Sequence, residues 1–252
     1  MSQTVILETK NLTHIFPDGT CGFENINLKI YDSEFIVIAG ANGSGKTVLT
    51  RHLNGLLTPT QGEVLMYDEP IHKNIIQVRK KIGLIFQDSE SQFVGQTVYE
   101  EVAFGPENLN LPREEIKKIV EASLETVGLK GLETYHPYTL SGGQKRKLAI
   151  AGVLAMKPQI IIFDEPFTGL DYPSVVQVLK ELVKLHQIGH TIILITHELE
   201  KVLAHASRLI IIHNGSLVKE GIPKAVIADV ECYGVRMPLK EGEGIDSLTW
   251  LK

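Results

Sequence analysis

Apolar and polar positions alternate along the first third of the chain in a pattern typical of β-strands. VILETKNLTHIF, FENINLKI and GEVLMYD alternate or run apolar, and turn signals such as Pro-Asp-Gly separate them. EFIVIAG is a nearly continuous apolar strand that ends in a glycine-rich loop, and TVLTRHLNGLL follows with helical spacing. The pattern predicts a β-rich region that contains one strand–loop–helix unit.

From about Arg113 the apolar residues recur at three- and four-residue steps, which predicts helices. REEIKKIVEASLETVG has acidic residues in its first turn and Gly128 as its C-terminal cap, and another helix is predicted after Ser141. QIIIFDEP and TIILITHE have the character of buried strands and flank a helical PSVVQVLKELVKLHQ. Strands and helices that alternate in this way favour a parallel sheet covered on both faces.

Composition and charge narrow the classes of function. The chain has 252 residues, 43% of them apolar, and a net charge of −5, so nothing suggests an electrostatic hold on nucleic acid or anionic lipid. Its two cysteines provide neither a disulfide framework nor metal-ligand spacing, which fits a reducing cytosol. MSQTVILETK lacks the features of a secretory signal, and no apolar stretch reaches the ~18 residues that span a bilayer. We therefore expect a soluble protein that acts at a membrane only through a partner.

GANGSGKT, at residues 40–47, fits the phosphate-loop pattern G-x-x-x-x-G-K-[ST]. Its glycines let successive backbone N–H groups face phosphate oxygens. Lys46 is expected to reach the β- and γ-phosphates, and the Thr47 hydroxyl to bind Mg²⁺. The alternative is a glycine-rich turn that matches by accident, but the strand before it and the helix after it favour a nucleotide site. The loop residues predicted to bind nucleotide are Gly40, Ala41, Asn42, Gly43, Ser44, Gly45, Lys46 and Thr47.

IIIFDEP places two carboxylates at the end of a strand so apolar that it must be buried. Because an unpaired buried charge is costly, both are expected at the carboxyl edge of the sheet, where open α/β sheets bind ligands. Asp164 is predicted to bind nucleotide through Mg²⁺, and Glu165 to polarise an attacking water. An ordinary pair of strand-end acids is the alternative, and the phosphate loop weighs against it.

Two more strands end in polar side chains. His197 follows TIILIT, and a neutral imidazole there can hydrogen-bond a γ-phosphate oxygen or the attacking water. Gln87 ends KIGLIFQ, where its amide can bind Mg²⁺ or water, or merely cap a loop. The other histidines have no ligand spacing and are interpreted as solvated or structural.

A second glycine-rich helix start occurs in TLSGGQKRKLAIAGVLA, residues 139–155. Gly142 and Gly143 leave backbone N–H groups exposed there, which favours an anion. Since the phosphate loop and Asp164 already account for one nucleotide, this anion site is surplus within one monomer. It becomes useful if it binds the phosphate of a neighbour's nucleotide, so that two chains related by a two-fold axis complete two composite sites.

Together these motifs resemble the ATP-binding cassette (ABC) ATPases. LSGGQ is similar to the family's signature, and GANGSGKT, IIIFDEP, TGLD and ITHE occur in the family's order, over about residues 5–221. The resemblance implies an α/β fold with a P-loop NTPase core, an N-terminal antiparallel β part and an inserted helical subdomain. The ABC domain would occupy residues 1–225, with the helical insertion at about 88–157. The pattern after Gly221 is too weak to assign, and residues 226–252 are interpreted as a short tail.

The resemblance also implies roles for individual residues. Gln87 would be the Q-loop glutamine, Glu165 the general base and His197 the switch histidine, all acting on MgATP. Asp171 would be the D-loop acid, and Phe16 the aromatic side chain that stacks on adenine. The signature residues that would meet the partner's ATP are Ser141, Gly142, Gly143 and Gln144.

Within the family, FQDSESQF followed by TVYEEVAFGPENLNLP is similar to the ATPase subunits of energy-coupling factor and cobalt or nickel importers. This implies a second ABC ATPase chain, identical or sister, and an integral-membrane coupling subunit that docks near residues 88–112. A substrate-binding membrane subunit would be reached indirectly, and no nucleic acid is expected. The chain would lie peripherally on the cytoplasmic face of the cell membrane and energise vitamin or metal-ion uptake. KRKL after the signature and Phe167 after the acid pair depart from the family's usual pattern.

Two other functions stay open. A soluble ABC ATPase without a transport role, of the iron–sulfur assembly type, would share all of these motifs. A small-molecule P-loop kinase would share the phosphate loop but has no use for LSGGQ. A membrane protein bound through residues 88–112 would favour transport, and a soluble scaffold would favour assembly.

Overall fold

The computed structural model describes residues 4–88, 92–240 and 242–251. The predicted domain, docking segment and tail therefore include positions outside the described ranges: 1–3, 89–91, 241 and 252. The strands are β1 (Val5–Ile15), β2 (Cys21–Tyr31), β3 (Phe35–Ala39), β4 (Gln61–Met66), β5 (Glu69–Pro70), β6 (Ile82–Ile85), β7 (Ile160–Asp164), β8 (Thr191–Ile195), β9 (Arg208–His213) and β10 (Ser216–Gly221). The helices are α1 (Lys46–Leu53), α2 (Ile75–Lys81), α3 (Val98–Asn108), α4 (Arg113–Thr126), α5 (Gly142–Leu154), α6 (Tyr172–Gln187) and α7 (Pro223–Val226).

The strands form two sheets within the described ranges. The first is antiparallel, with the order β2-β1-β4-β5. The second has the order β10-β9-β3-β8-β7-β6. The neighbouring strands β9, β3, β8, β7 and β6 run parallel, and β10 runs antiparallel to β9. The predicted α/β class, with an antiparallel β part and a parallel sheet, is confirmed.

Every residue of β3, β7 and β8 is buried, because both faces of the parallel sheet are covered. Along β3, Phe35, Val37 and Ala39 face the core shared with the helices α3 to α6. Ile36 and Ile38 face the core shared with α1 and the antiparallel sheet. Burial of each large apolar side chain contributes about 1.5–3 kcal/mol, so a continuous apolar run is the sequence that such a strand requires.

The helical part packs over one face of the parallel sheet. A reciprocal cap starts α3: the Glu100 backbone N–H donates to Thr97 Oγ1, and the Thr97 N–H donates to Glu100 Oε2, both at 3.1 Å. The helix α4 ends as predicted, because Gly128 follows it with a φ of +69°, a left-handed conformation that suits glycine.

The part of the chain with no assignable sequence pattern packs back onto the core. After α7, short 3₁₀ turns form at Ile227–Tyr233 and Ile245–Ser247. Val230 and Leu248 are buried in the same apolar cluster as Phe163 of β7. Across the described ranges, no helix combines the length and the apolar character needed to cross a membrane.

Candidate active site

Four parallel strands bring the predicted polar side chains to one edge of the sheet. β3 leads into the loop that begins at Gly40, β6 leads towards Gln87, β7 is followed by Glu165, and β8 is followed closely by His197. β8 lies between β3 and β7 and pairs with both in parallel. The carboxyl ends of these strands therefore converge, as expected for the ligand-binding edge of an open α/β sheet.

The glycine loop wraps around the side chain of Lys46, the first residue of α1. Lys46 Nζ donates to the carbonyl oxygens of Gly40 and Ala41, each at 2.8 Å, and lies 3.5 Å from Ser44 Oγ. Gly45 has a φ of +99°, and a Cβ there would lie 2.4 Å from the Gly22 carbonyl oxygen. Only glycine fits such a position, so the loop can hold the N-terminus of α1 open towards an anion.

Two adjoining cavities lie over this edge, of about 570 and 660 Å³. These volumes are in the range of small-ligand sites. Thr47 and Gln87 line both cavities, and Asp164 lines the second. The other predicted residues that line the first cavity are Phe16, Asn42, Gly43, Gly45, Lys46, Glu165 and His197.

Phe16 lies in the same cavity as the glycine loop, at the start of the turn after β1. Its ring packs edge-on against His14, with 4.6 Å between the ring centroids. Phe16 is half-buried, so its ring can still receive a flat ligand. The contact of Phe16 with an adenine base stays a prediction.

Thr47 and Asp164 meet where α1 begins and β7 ends. Thr47 Oγ1 donates to Asp164 Oδ1 at 3.2 Å. Burial raises the pKa of Asp164, and the hydrogen bond from Thr47 opposes that shift. One carboxylate, one hydroxyl and the nearby Gln87 amide are hard oxygen donors, the set that suits Mg²⁺ shared with phosphate groups. The residues present therefore fit the predicted ion.

Glu165 and His197 form the polar pair beyond this oxygen cluster. Glu165 Oε1 lies 3.0 Å from His197 Nδ1, and Glu165 Oε2 is buried without a hydrogen-bond partner. The backbone of Glu165 is left-handed, with a φ of +48°, which is uncommon for a residue other than glycine and marks local strain. The His197 side chain is 52% exposed and lines the first cavity. The pair can hold and deprotonate a water molecule.

Sequence reasoning missed Arg146, which holds the backbone next to Gln87. Arg146 Nη1 donates to the Phe86 carbonyl at 2.7 Å, and Nη2 donates to the Gln87 carbonyl at 2.8 Å. The residue is only 4% exposed. Burial lowers the pKa of Arg146, and the negative charge of Asp88 opposes the shift. The sequence signal for Arg146 was its place in KRKL, where the chain departs from the family's usual pattern. Its partner Gln87 lies 59 positions away in the chain.

The signature residues and Asp171 lie outside both cavities of their own chain. Ser141 caps α5: the Gln144 N–H donates to Ser141 Oγ at 3.3 Å, and the Ser141 N–H donates to Gln144 Oε1 at 2.9 Å. Ser141 and Gly142 are exposed, whereas Gly143 lies so close to α6 that a Cβ would sit 2.7 Å from Ser174 Oγ. Asp171 caps α6 by accepting a hydrogen bond from the Ser174 N–H at 3.0 Å.

Comparison with known families and proteins gives consistent matches. The family described as ABC transporter matches residues 23–168. The protein named energy-coupling factor transporter ATP-binding protein EcfA from Methanocaldococcus jannaschii is 45% identical over 229 residues, which are 90% of this chain and 82% of the relative. The protein of the same name from Methanococcus maripaludis is 43% identical, with the same coverage.

Solved structures agree with these sequence matches. The cbiO1 protein of Clostridium perfringens, described as part of the ABC transporter complex cbiONQ, superposes with a TM-score of 0.82 at 37% identity. The match covers 92% of this chain and 93% of that protein. The dimeric bacterial ABC transporter cassette MJ0796 gives a TM-score of 0.77 at 29% identity, covering 86% and 98% of the two chains.

Proposed function

Because the chain belongs to the ABC transporter family, as an ATP-hydrolysing subunit of the energy-coupling factor type, we propose that it energises a membrane importer. Its ATP would be enclosed between two ATPase chains, and closure of that dimer would move a membrane subunit. The observation that supports this proposal is the exposed start of α5, which carries the signature residues yet lies outside its own nucleotide cavity.

The chain's own residues divide the work of ATP hydrolysis. The loop N–H groups and Lys46 bind and orient the phosphates. Catalysis of phosphoryl transfer depends mainly on such positioning and on stabilisation of the phosphate charge. Burial lowers the pKa of Lys46, while the negative charges of Glu165 and Asp164 oppose that shift. Thr47 and Asp164 would hold Mg²⁺, which supplies charge neutralisation for the phosphate oxygens.

Glu165 and His197 act on the attacking water. Glu165 Oε1 accepts a hydrogen bond from His197 when Nδ1 carries the proton, which orients the carboxylate that would take the proton from water. In that tautomer, His197 Nε2 is an acceptor that can orient the same water. Ser141, Gly142, Gly143 and Gln144 of the second chain would close the site over the γ-phosphate, with Asp171 at the shared boundary.

The membrane partner would dock near residues 88–112. Val94 and Phe104 of this segment are exposed apolar side chains. A cavity of about 260 Å³ lies beside Phe86, two residues before this segment, and is lined by Leu56, Val153 and Met156 among others; it would extend the docking surface. Apolar anchors of this kind are the usual recognition mode for a helix in a groove.

In this proposal the chain would lie at the cytoplasmic face of the membrane as a peripheral subunit. The cargo, a vitamin or a cobalt or nickel ion, would be chosen by a substrate-binding membrane subunit that the ATPase reaches only indirectly. A soluble ABC ATPase of the iron–sulfur assembly type is the less favoured alternative, because the relatives and the solved structure named above are transporter subunits.

The dimer is tested with Glu165→Gln, which keeps nucleotide contacts but removes the acceptor for the water's proton. We expect this variant to bind MgATP and to accumulate as a dimer, because hydrolysis no longer releases the two chains. Size-exclusion chromatography with light scattering gives the mass directly. The control is Glu165→Gln with Ser141→Arg, whose longer side chain blocks the partner's phosphate and should leave monomers. A Glu165→Gln chain that binds ATP yet stays monomeric would refute the composite site.

A further inference from the structure

The end of the chain returns to the active-site side of the molecule and pairs with the turn that follows His197. The Trp250 N–H donates to the Lys201 carbonyl at 3.2 Å, and the Ala204 N–H donates to the Leu248 carbonyl at 3.0 Å. Leu248 is buried in the main core, which anchors the segment. We call residues 245–251 the C-terminal clasp.

Trp250 joins two loops that carry predicted site residues. Its ring packs against the ring of Tyr172, with 5.1 Å between centroids. Tyr172 is the first residue of α6 and directly follows Asp171. On the other side, Lys201 Nζ lies 4.6 Å from the centroid of the Trp250 ring. One indole therefore contacts both the residue after Asp171 and the turn that follows His197.

Lys201 extends this contact to a third loop. Lys201 is 5% exposed, forms an ion pair with Glu198, and its Nζ lies 5.7 Å from the centroid of the Phe167 ring. Phe167 is fully buried and stands two residues after Glu165. A buried ammonium is costly without compensation, and here one carboxylate and two aromatic faces supply it. Lys201 thus ties together the loops that follow β7 and β8.

We propose that Trp250 and Lys201 are positioning residues for ATP hydrolysis. The clasp holds the loops of Glu165, Asp171 and His197 in one relative arrangement, and so fixes where the attacking water is held. Leu248 anchors the clasp in the core, and the aromatic and cationic contacts of Trp250 and Lys201 fall on the three loops that carry site residues. This inference rests on the proposed ATPase dimer and adds an element outside the family motifs.

The kinetic test compares Trp250→Ala and Trp250→Phe in the full chain with its ATPase and membrane partners. We expect Trp250→Ala to lower kcat about 5- to 10-fold while KM for ATP stays within about 2-fold, because the loop that binds phosphate is not touched. Trp250→Phe keeps an aromatic face and should recover most of the rate. Asp246→Ala, an exposed substitution in the same clasp, is the matched control and should behave as the wild type. A wild-type kcat in Trp250→Ala would overturn the proposal.

A spectroscopic test needs no nucleotide. Trp250 is the chain's one tryptophan, so its emission reports on the clasp alone. Lys201→Met keeps the length of the side chain but removes the charge over the indole. We expect this variant to shift the Trp250 emission maximum and to lower kcat, whereas Asp246→Ala should change neither. Unchanged emission in folded Lys201→Met would overturn the contact, and this variant also serves if Trp250→Ala does not fold.

The two proposals fail in different ways. If the wild-type chain with its partners hydrolyses no ATP, both the proposed function and the positioning role are refuted. If the wild type hydrolyses ATP and both Trp250→Ala and Lys201→Met retain its kcat, only the clasp is refuted.

Discussion

Arg146 offers the most direct test of how the signature helix and the Gln87 loop are connected. Its guanidinium donates to two successive carbonyl groups at the end of β6, at 2.7 and 2.8 Å. Arg146→Met removes both donors and keeps a flexible apolar stem of similar length. We expect the backbone at Phe86 and Gln87 to become less fixed, because both carbonyls lose the Arg146 donor and only the Phe86 N–H keeps a bond, to Gln92 Oε1 at 3.2 Å, among the hydrogen bonds of the described residues.

The size of the effect follows from these two contacts. Hydrogen bonds from a charged donor contribute about 1.5–3 kcal/mol each, and water can replace part of this at the exposed Gln87, so the pair is worth about 2–4 kcal/mol. Without these bonds, ordering Gln87 in the transition state would cost about half of this free energy. A barrier higher by about 1–2 kcal/mol lowers kcat about 5- to 30-fold. Arg146→Lys keeps the charge but cannot reach both carbonyls in the same forked geometry, so it should be intermediate.

The assay is steady-state ATP hydrolysis at saturating MgATP, with ATP binding measured separately. Lys147→Met, one position further along the same helix and partly exposed, is the matched control and should keep the wild-type kcat. Thermal unfolding of each variant identifies any loss that comes from stability alone. The reasoning is wrong if Arg146→Met remains folded and hydrolyses ATP within about 2-fold of the Lys147→Met control.

Two further predictions concern docking and acid stability. Phe104→Asp should strongly reduce recovery of the membrane partner with the ATPase in pull-downs, whereas Ile222→Asp, also exposed, should not; equal recovery would contradict the docking segment. Burial, aided by the nearby His14, lowers the pKa of fully buried His52 to about 4 from 6.5. Because the unfolded chain binds this proton at a higher pH than the folded chain, the free energy of unfolding decreases as the pH falls. The loss begins near pH 6.5 and reaches about 3 kcal/mol at about pH 4. His52→Leu should flatten this acid limb in unfolding measurements, while exposed His72→Gln should not; an unchanged slope in His52→Leu would refute the assignment.

The parallel sheet and the residues at its edge could be predicted because local sequence determines them. The strands β3, β7 and β8 are continuous apolar runs, and buried strands need that pattern whatever surrounds them. Lys46, Asp164 and Glu165 each stand at the end of such a run or in a fixed motif. The parallel arrangement of the strands then brings them together without further information.

Long-range polar contacts were beyond sequence reasoning. Arg146 reaches Gln87 across 59 positions, and no local pattern specifies which buried carbonyl a basic residue will find. The left-handed backbone of Glu165 could not be predicted from the sequence either. Glutamate prefers other backbone conformations, and here the surrounding fold overrides that preference. Trp250 and Tyr172 are 78 positions apart in the sequence, and their contact depends on how the tail is folded back.

The reciprocal cap at the start of α5 has one more consequence. The Ser141 hydroxyl oxygen accepts a hydrogen bond from the Gln144 N–H, so this bond does not use the hydroxyl hydrogen. The side chain is thus oriented during folding and can still donate to an incoming oxygen atom. Two molecules that meet at this helix end would lose little side-chain freedom in doing so, and Ser141→Ala would remove both the helix cap and the waiting donor at once.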